Sequence, residues 1–153
     1  VEVSFRFAEL CRMKGHRVVC SNFLEDEAAN GAGREGVRYE AVLMNPPFEN
    51  DQAGQHVRHA FEFLSDGGTL VAIVDAGIWT RSTGKAQAFR DWLEGVTYES
   101  EDLPEGSFTG AEAFRQTSVR CSMLTIRNVD IQRNRTTGDA VEDRLSDMRA
   151  FCD

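Results

Sequence analysis

The residues of this chain best suited to chemistry are Asn45-Pro46-Pro47-Phe48. Asn45 offers a side-chain amide oxygen, and beside it the ring of Pro46 restricts the backbone, so that its carbonyl is held in one direction. Phe48 adds a flat apolar face. Two fixed acceptors next to a flat ring suit a planar group that carries an NH2. The plainer reading is that the prolines end a strand and Phe48 plugs the end of a sheet.

The elements around the tetrapeptide decide how it is presented. Ala41-Val42-Leu43-Met44 is an unbroken apolar run of the kind a buried parallel strand makes. Two prolines cannot extend a sheet, so the chain leaves that strand in a stiff loop at its carboxyl end, where open α/β sheets place their ligand sites. A first helix is expected over 5–14, with Gly15 as its left-handed cap. Val57, Ala60, Phe61 and Leu64 share one face of a second helix, and Ala86, Phe89 and Leu93, with Trp92 alongside, one face of a third. Strands are expected at 1–3, 17–20, 41–44, 70–74 and 118–127. The alternation of strands and helices predicts an α/β fold, a mostly parallel sheet with helices on both faces. From Ser118 the apolar positions alternate and then change phase at Leu124, which predicts either a bulge or a strand buried on both faces. In the polar, turn-rich end of the chain, Val141, Leu145, Met148 and Cys152 line one face of a terminal helix behind an Asp139/Glu142 capping pattern.

At Asn45-Pro46-Pro47-Phe48 the sequence resembles the S-adenosylmethionine-dependent amino-methyltransferases, in particular adenine-N6 DNA methyltransferases of the gamma-like order. The flanking segments are similar in the same order. Val1-Glu2-Val3 and the helix after it resemble the family's second strand, whose acidic residue binds the cofactor ribose. Ser21-Asn22-Phe23-Leu24 resembles the segment that contacts the cofactor adenine, and Leu70 to Val74 after Asp66-Gly67-Gly68 resembles the strand following the catalytic loop. Leu103 to Phe108 with the strand 118–127 resembles the hairpin region that closes the target-base pocket.

The resemblance implies a Rossmann-like class I methyltransferase sheet over 1–128, with 129–153 a polar linker and C-terminal amphipathic helix. Two departures stand out. The family's glycine-rich loop and its strand should precede Glu2, so the first, central strand, between 1–3 and 41–44, is missing from this sequence. The family's usual Asp at the adenine contact is Asn22 here, which accepts a hydrogen bond but brings no charge. A strand at residue 1 with no initiator methionine predicts that sequence precedes Val1.

By the resemblance, Asn45, Pro46, Pro47 and Phe48 hold the target base, and Glu2, Asn22 and Phe23 hold S-adenosylmethionine. An adenine amine is a poor nucleophile because its lone pair is delocalised. Two acceptors, each taking one N–H, pull the nitrogen toward tetrahedral geometry and aim the lone pair at the methyl group, so catalysis is positioning and preorganised dipoles. The base is flipped out of duplex DNA, and stacking on Phe48 is worth on the order of 1–3 kcal/mol. The same loop suits a guanine amine in ribosomal RNA or a protein glutamine. A non-catalytic remnant, or one subunit of a split methyltransferase completed by a partner subunit or an upstream segment, is the reading from a different class. From the residues alone, Glu2 is also an ordinary surface carboxylate, Phe23 a core residue and Asn22 a turn or cap residue.

Composition bounds these readings. The 153 residues, 41% hydrophobic and 27% charged, suit one globular domain, and ten Phe supply much of its packing. No apolar stretch approaches a membrane span and no signal peptide opens the chain. Cys11, Cys20, Cys121 and Cys152 lack paired or metal-like spacing, which predicts reduced thiols and a cytoplasmic protein. The net charge of −8 sits poorly with a DNA enzyme, yet Arg115, Arg120, Arg127, Arg133 and Arg135 are opposed only by Asp130. That stretch either faces a nucleic-acid backbone or is a solvated strand and loop.

Three patterns are better read plainly. Gly31-Ala32-Gly33-Arg34-Glu35-Gly36 has the dinucleotide-binding glycine spacing, but no strand precedes it and no helix follows. His56 and His59 lie three apart with no further ligand, so they are expected to be solvated and no metal is assigned. Ser82-Thr83-Gly84-Lys85 lacks the leading glycine of a phosphate loop and is expected to open the third helix, with Lys85 near nucleic acid.

Overall fold

The computed structural model describes residues 1–25, 38–105, 107 and 119–129. In chain order these form α1 (Phe5–Met13), β1 (Tyr39–Met44), α2 (Gln52–Phe61), β2 (Leu64–Asp75), α3 (Gly84–Leu93), β3 (Thr97–Asp102) and β4 (Cys121–Arg127). Short 3-10 turns at Glu49–Asp51 and Ala76–Trp79 follow the Asn45–Phe48 loop and β2. The strands make one sheet in the order β1-β2-β4-β3, with β1 and β2 parallel and the other two pairs antiparallel. The mostly parallel expectation thus holds for β1–β2 and for the parallel bridge Glu2–Cys20, while β4 and β3 run against their neighbours.

The core forms where α2 and α3 lay their apolar stripes on β2 and β4. Ala53, Val57 and Ala60 of α2 and Ala86, Phe89 and Leu93 of α3 are buried against Leu70, Ala72, Val74, Leu124 and Ile126. Such burial, at about 25 cal/mol per Å² of apolar surface, is what holds short helices of this kind. α2 and α3 approach closely at Gly54, where an added Cβ would lie 2.8 Å from Phe89 Cγ.

Several expectations hold closely. α1 ends in a Schellman arrangement: the Gly15 N–H donates to Arg12 O and the His16 N–H to Cys11 O, with Gly15 left-handed at φ 87°. α3 opens at Thr83, whose hydroxyl accepts the Ala86 N–H at 3.3 Å, so Ser82–Lys85 does begin that helix. β4 keeps an unbroken register with both neighbours and is buried at Cys121, Ser122, Leu124 and Ile126. Its phase change therefore reflects burial on both faces, with no bulge.

Others need correction. The strands expected at 1–3 and 17–20 reduce to the single bridge Glu2–Cys20. β1 is not buried: it is an edge strand among the described residues, with Leu43 79% and Tyr39 48% exposed. Its apolar run is half covered, because Val42 and Met44 meet the core and nothing described pairs with its outer edge. Leu64 begins β2 where a helical face was expected, and β2 runs on through Gly67 and Gly68, where the register with β1 shifts. β3 was not foreseen. The Gly31–Gly36 pattern and the terminal helix lie outside the described residues.

Candidate active site

β1 and β2 run parallel, so their carboxyl ends open on the same side, and the two chains that leave them build the candidate site. From β1 comes Asn45-Pro46-Pro47-Phe48. Asn45 is exposed, and its side chain has no hydrogen-bond partner among the described residues. Pro46 is buried, Pro47 exposed and Phe48 half-buried. A buried Pro46 flanked by an exposed, unpaired Asn45 is a rigid mount for a free acceptor.

The loop exits through an uncommon turn. Asn50 and Asp51 both have φ 54°, left-handed for residues other than glycine. Side chains from the β2–α3 segment hold this turn. Thr83 Oγ1 donates to Asp51 Oδ2 at 2.5 Å, Lys85 Nζ to the Asn50 carbonyl at 3.1 Å, and Arg81 Nη2 lies 2.7 Å from Asp51 Oδ1. The same Arg81 nitrogen is 2.6 Å from Oδ1 of Asp75, the buried last residue of β2. Burial opposes the charge on Arg81, but the close carboxylates of Asp75 and then Asp51 outweigh it and raise its pKa above the ordinary value. Burial, and after it the charge of Asp75, pushes the Cys121 thiol up, as befits a neutral packed cysteine.

The second group of predicted residues is assembled by the Glu2–Cys20 bridge. The Glu2 N–H donates to Val19 O, and the Ser21 N–H to Glu2 O, bringing Glu2 next to Asn22 across twenty residues of chain. Glu2 Oε1 accepts the N–H of Ser4 at the start of α1, and Oε2 has no partner among the described residues. Asn22 is a turn residue, its Oδ1 accepting the Leu24 N–H at 3.2 Å. Phe23 turns into the fold: its ring stacks on His56 at 5.9 Å, meets His59 edge-on at 4.8 Å and tilts against Phe63 at 6.0 Å. His56 and His59 are thus packed, not solvated as expected, and they join the Glu2–Phe23 segment to α2. Burial first, then the neighbouring His59, holds the pKa of His56 below its ordinary value.

Sequence reasoning missed Asp51, Asp75, Arg81 and the histidine–phenylalanine cluster. Asp75 left a signal, a lone charge closing a long apolar strand at its carboxyl end, whereas Arg81 had none. Of the arginine-rich stretch, Arg120 is paired with Glu105 at 2.8 Å, Arg127 is exposed, and Arg115, Arg133 and Arg135 lie outside the described residues.

No protein-family model matches the chain, and no characterised protein matches it by sequence. Solved structures do match. One is the M protein of the type I restriction enzyme EcoKI, at TM-score 0.56 and 20% identity, covering 77% of this chain and 26% of that one. A chain from a type I restriction–modification assembly matches at TM-score 0.53 and 22% identity, covering 73% and 25%. An O-methyltransferase from Bacillus cereus, in complex with S-adenosylhomocysteine, matches at 0.53 and 10%, covering 82% and 60%. The described residues share part of the Rossmann-like α/β fold of these class I methyltransferase structures. The chain spans about a quarter of the first two structures and 60% of the third.

Proposed function

We propose that residues 1–128 are part of a methyltransferase catalytic domain that transfers a methyl group from S-adenosylmethionine to the exocyclic amine of adenine in DNA. The observation that carries the reading is the Asn45–Phe48 loop at the carboxyl end of β1, with an exposed, unpaired Asn45 on a buried Pro46. Asn45 Oδ1 and the Pro46 carbonyl each accept one N–H of the target amine, and Phe48 stacks on the flipped base. Likeness to the EcoKI M protein supports DNA adenine as the substrate.

The residues near Glu2 fit the nucleoside end of the cofactor. Glu2 Oε2 is free to accept a ribose hydroxyl, and Asn22 Oδ1 has a second lone pair beside the bond from Leu24. Phe23 offers an adenine only the part of its ring not packed on the histidines. When bound, the cofactor supplies an electrophilic methyl group on a sulfonium centre. The amine proton leaves to solvent after transfer, because the methylated nitrogen is acidic, so no side chain is required as a base. Lys85, expected near DNA, is tied to the Asn50 carbonyl, so backbone contacts fall to arginines of the 115–135 stretch.

A second reading, in which the chain works only with a partner subunit or further segment supplying another strand, is favoured by the edge of β1 that stays open among the described residues. Leu43 stands 79% exposed there, and edges of this kind pair or aggregate. No helix among the described residues is long and apolar enough to cross a membrane.

The test is calorimetric titration with S-adenosylhomocysteine of the chain and of its Asn45→Ala and Glu2→Ala forms, followed by methylation of adenine-containing duplex DNA, ribosomal RNA and a glutamine peptide. The proposal expects binding lost with Glu2→Ala and kept with Asn45→Ala, and transfer to DNA abolished by Asn45→Ala. Transfer to RNA or peptide but not DNA refutes the substrate. Absence of binding, reversed by a strand-supplying partner, supports the second reading.

A further inference from the structure

We propose that Arg81 is the positioning residue of the base-binding loop, a latch that ties the loop's exit turn to the end of β2. The inference rests on the role proposed for Asn45–Phe48. Asn50 and Asp51 follow that loop one residue on, after Glu49, and two consecutive non-glycine residues at φ 54° are costly unless surrounding structure fixes them. One Arg81 nitrogen does so, sitting 2.7 Å from Asp51 and 2.6 Å from Asp75. Asp75 is anchored: it is 3% exposed and pairs with Cys121 in the ladder between β2 and β4. Asp51 is the movable end, and Arg81 carries the rigidity of the sheet across to it.

Two features indicate that the surroundings are shaped around this bridge. A Cβ added at Gly77 would collide with the Arg81 guanidinium and come within 3.0 Å of Asp75 Oδ1. Thr83 makes a second tie to the other Asp51 oxygen, so both oxygens of one carboxylate are held from the β2–α3 segment. A carboxylate gripped at both oxygens fixes the orientation of its own backbone, and with it the direction in which Phe48 and Asn45 enter the site. Misplacing reacting groups by about 1 Å costs on the order of a hundredfold in rate, which gives such a latch its leverage.

Hydrogen exchange of the intact chain tests this directly. The Gln52 N–H donates to Glu49 O across the left-handed pair, so its exchange reports whether the turn is held. In Arg81→Met and in Asp51→Asn, Gln52 exchange is expected to quicken by about tenfold or more while Leu124 in β4 stays protected. Arg81→Lys should restore protection, because an ammonium can place one nitrogen between the same two oxygens. If Gln52 exchange is unchanged, or quickens only together with Leu124, the latch is refuted. Should Arg81→Met fail to fold, Asp51→Asn, which leaves the Arg81–Asp75 pair intact, decides on the same readout. In methyl-transfer assays Arg81→Met should lower kcat without weakening S-adenosylhomocysteine binding. A chain with the exchange pattern of the latch but no transfer activity would refute the proposed function and leave the latch standing.

Discussion

Phe23→Ala separates packing from ligand binding at a residue assigned both. The ring touches His56, His59 and Phe63 at centroid distances of 5.9, 4.8 and 6.0 Å and is half-buried. Truncating a fully buried Phe costs about 3–5 kcal/mol, and aromatic contacts add about 0.5–1.5 kcal/mol each beyond area. A half-buried ring with three such neighbours should cost about 2 kcal/mol, which lowers the unfolding midpoint of a domain this size by about 4–8 °C. Circular dichroism melts at pH 7.5 measure it, with S-adenosylhomocysteine titration in parallel. Phe23→Leu keeps most of the apolar bulk without the flat face. If Phe23 also stacks on the cofactor, the Leu form should melt close to the parent and bind several-fold more weakly. A midpoint for Phe23→Ala within about 1 °C of the parent would refute the packing argument.

Other outcomes follow from the same geometry. His56 has a lowered pKa when folded, so the unfolded chain binds its proton more readily: stability is whole above the ordinary value of 6.5 and declines as pH falls through the lowered folded value. Melts from pH 8 to 5 should show that decline, and His56→Gln should flatten it. Gly54→Ala gains about 1 kcal/mol of helix propensity but sets a Cβ 2.8 Å from Phe89 Cγ; overpacking costs about 1–3 kcal/mol, so denaturant melts should show net loss. Ser122 is fully buried and its hydroxyl accepts from Trp79 Nε1 at 3.1 Å while donating to Asp102 at 2.8 Å, so Ser122→Ala should cost about 1–3 kcal/mol in denaturant melts.

What the sequence disclosed depended on whether local patterns carried the information. α1, α2 and α3 were legible because their ends or apolar stripes recur at helical spacing, and Gly15 and Thr83 mark boundaries by backbone chemistry. The exit at Asn45–Phe48 was legible because proline ends a strand whatever lies around it. β3 was not, since all six of its residues are exposed and four of the six are acidic or Ser: its stability comes from backbone pairing with β4. Burial of β1 was misjudged because an apolar run reports suitability for cover, and cover depends on a neighbour. The Asp51–Arg81–Asp75 bridge joins residues up to thirty positions apart whose spacing follows no local period.

Charge at the site end of the sheet bears on the proposed DNA reading. β3 runs in the same direction as β2, so Asp102 stands at the same end as Asp75 and the Asn45–Phe48 loop. The cations there are engaged: Arg81 with Asp51 and Asp75, Arg120 with Glu105, Lys85 with the Asn50 carbonyl and Arg90 with the Ile78 carbonyl. Arg127 lies opposite Thr69 and Thr97 at the far end of the sheet, so on this reading phosphate contacts fall to Arg115, Arg133 and Arg135. If those three arginines each neutralise one phosphate, log K against log salt should have a slope of about −2.7, and binding should weaken roughly 40-fold between about 50 and 200 mM salt. Fluorescence anisotropy of a labelled duplex measures the slope; Arg133→Gln should make it shallower by about 1, and Arg127→Gln should leave it unchanged. A slope near zero, or one that Arg133→Gln leaves unchanged, would mean that this stretch does not hold the backbone.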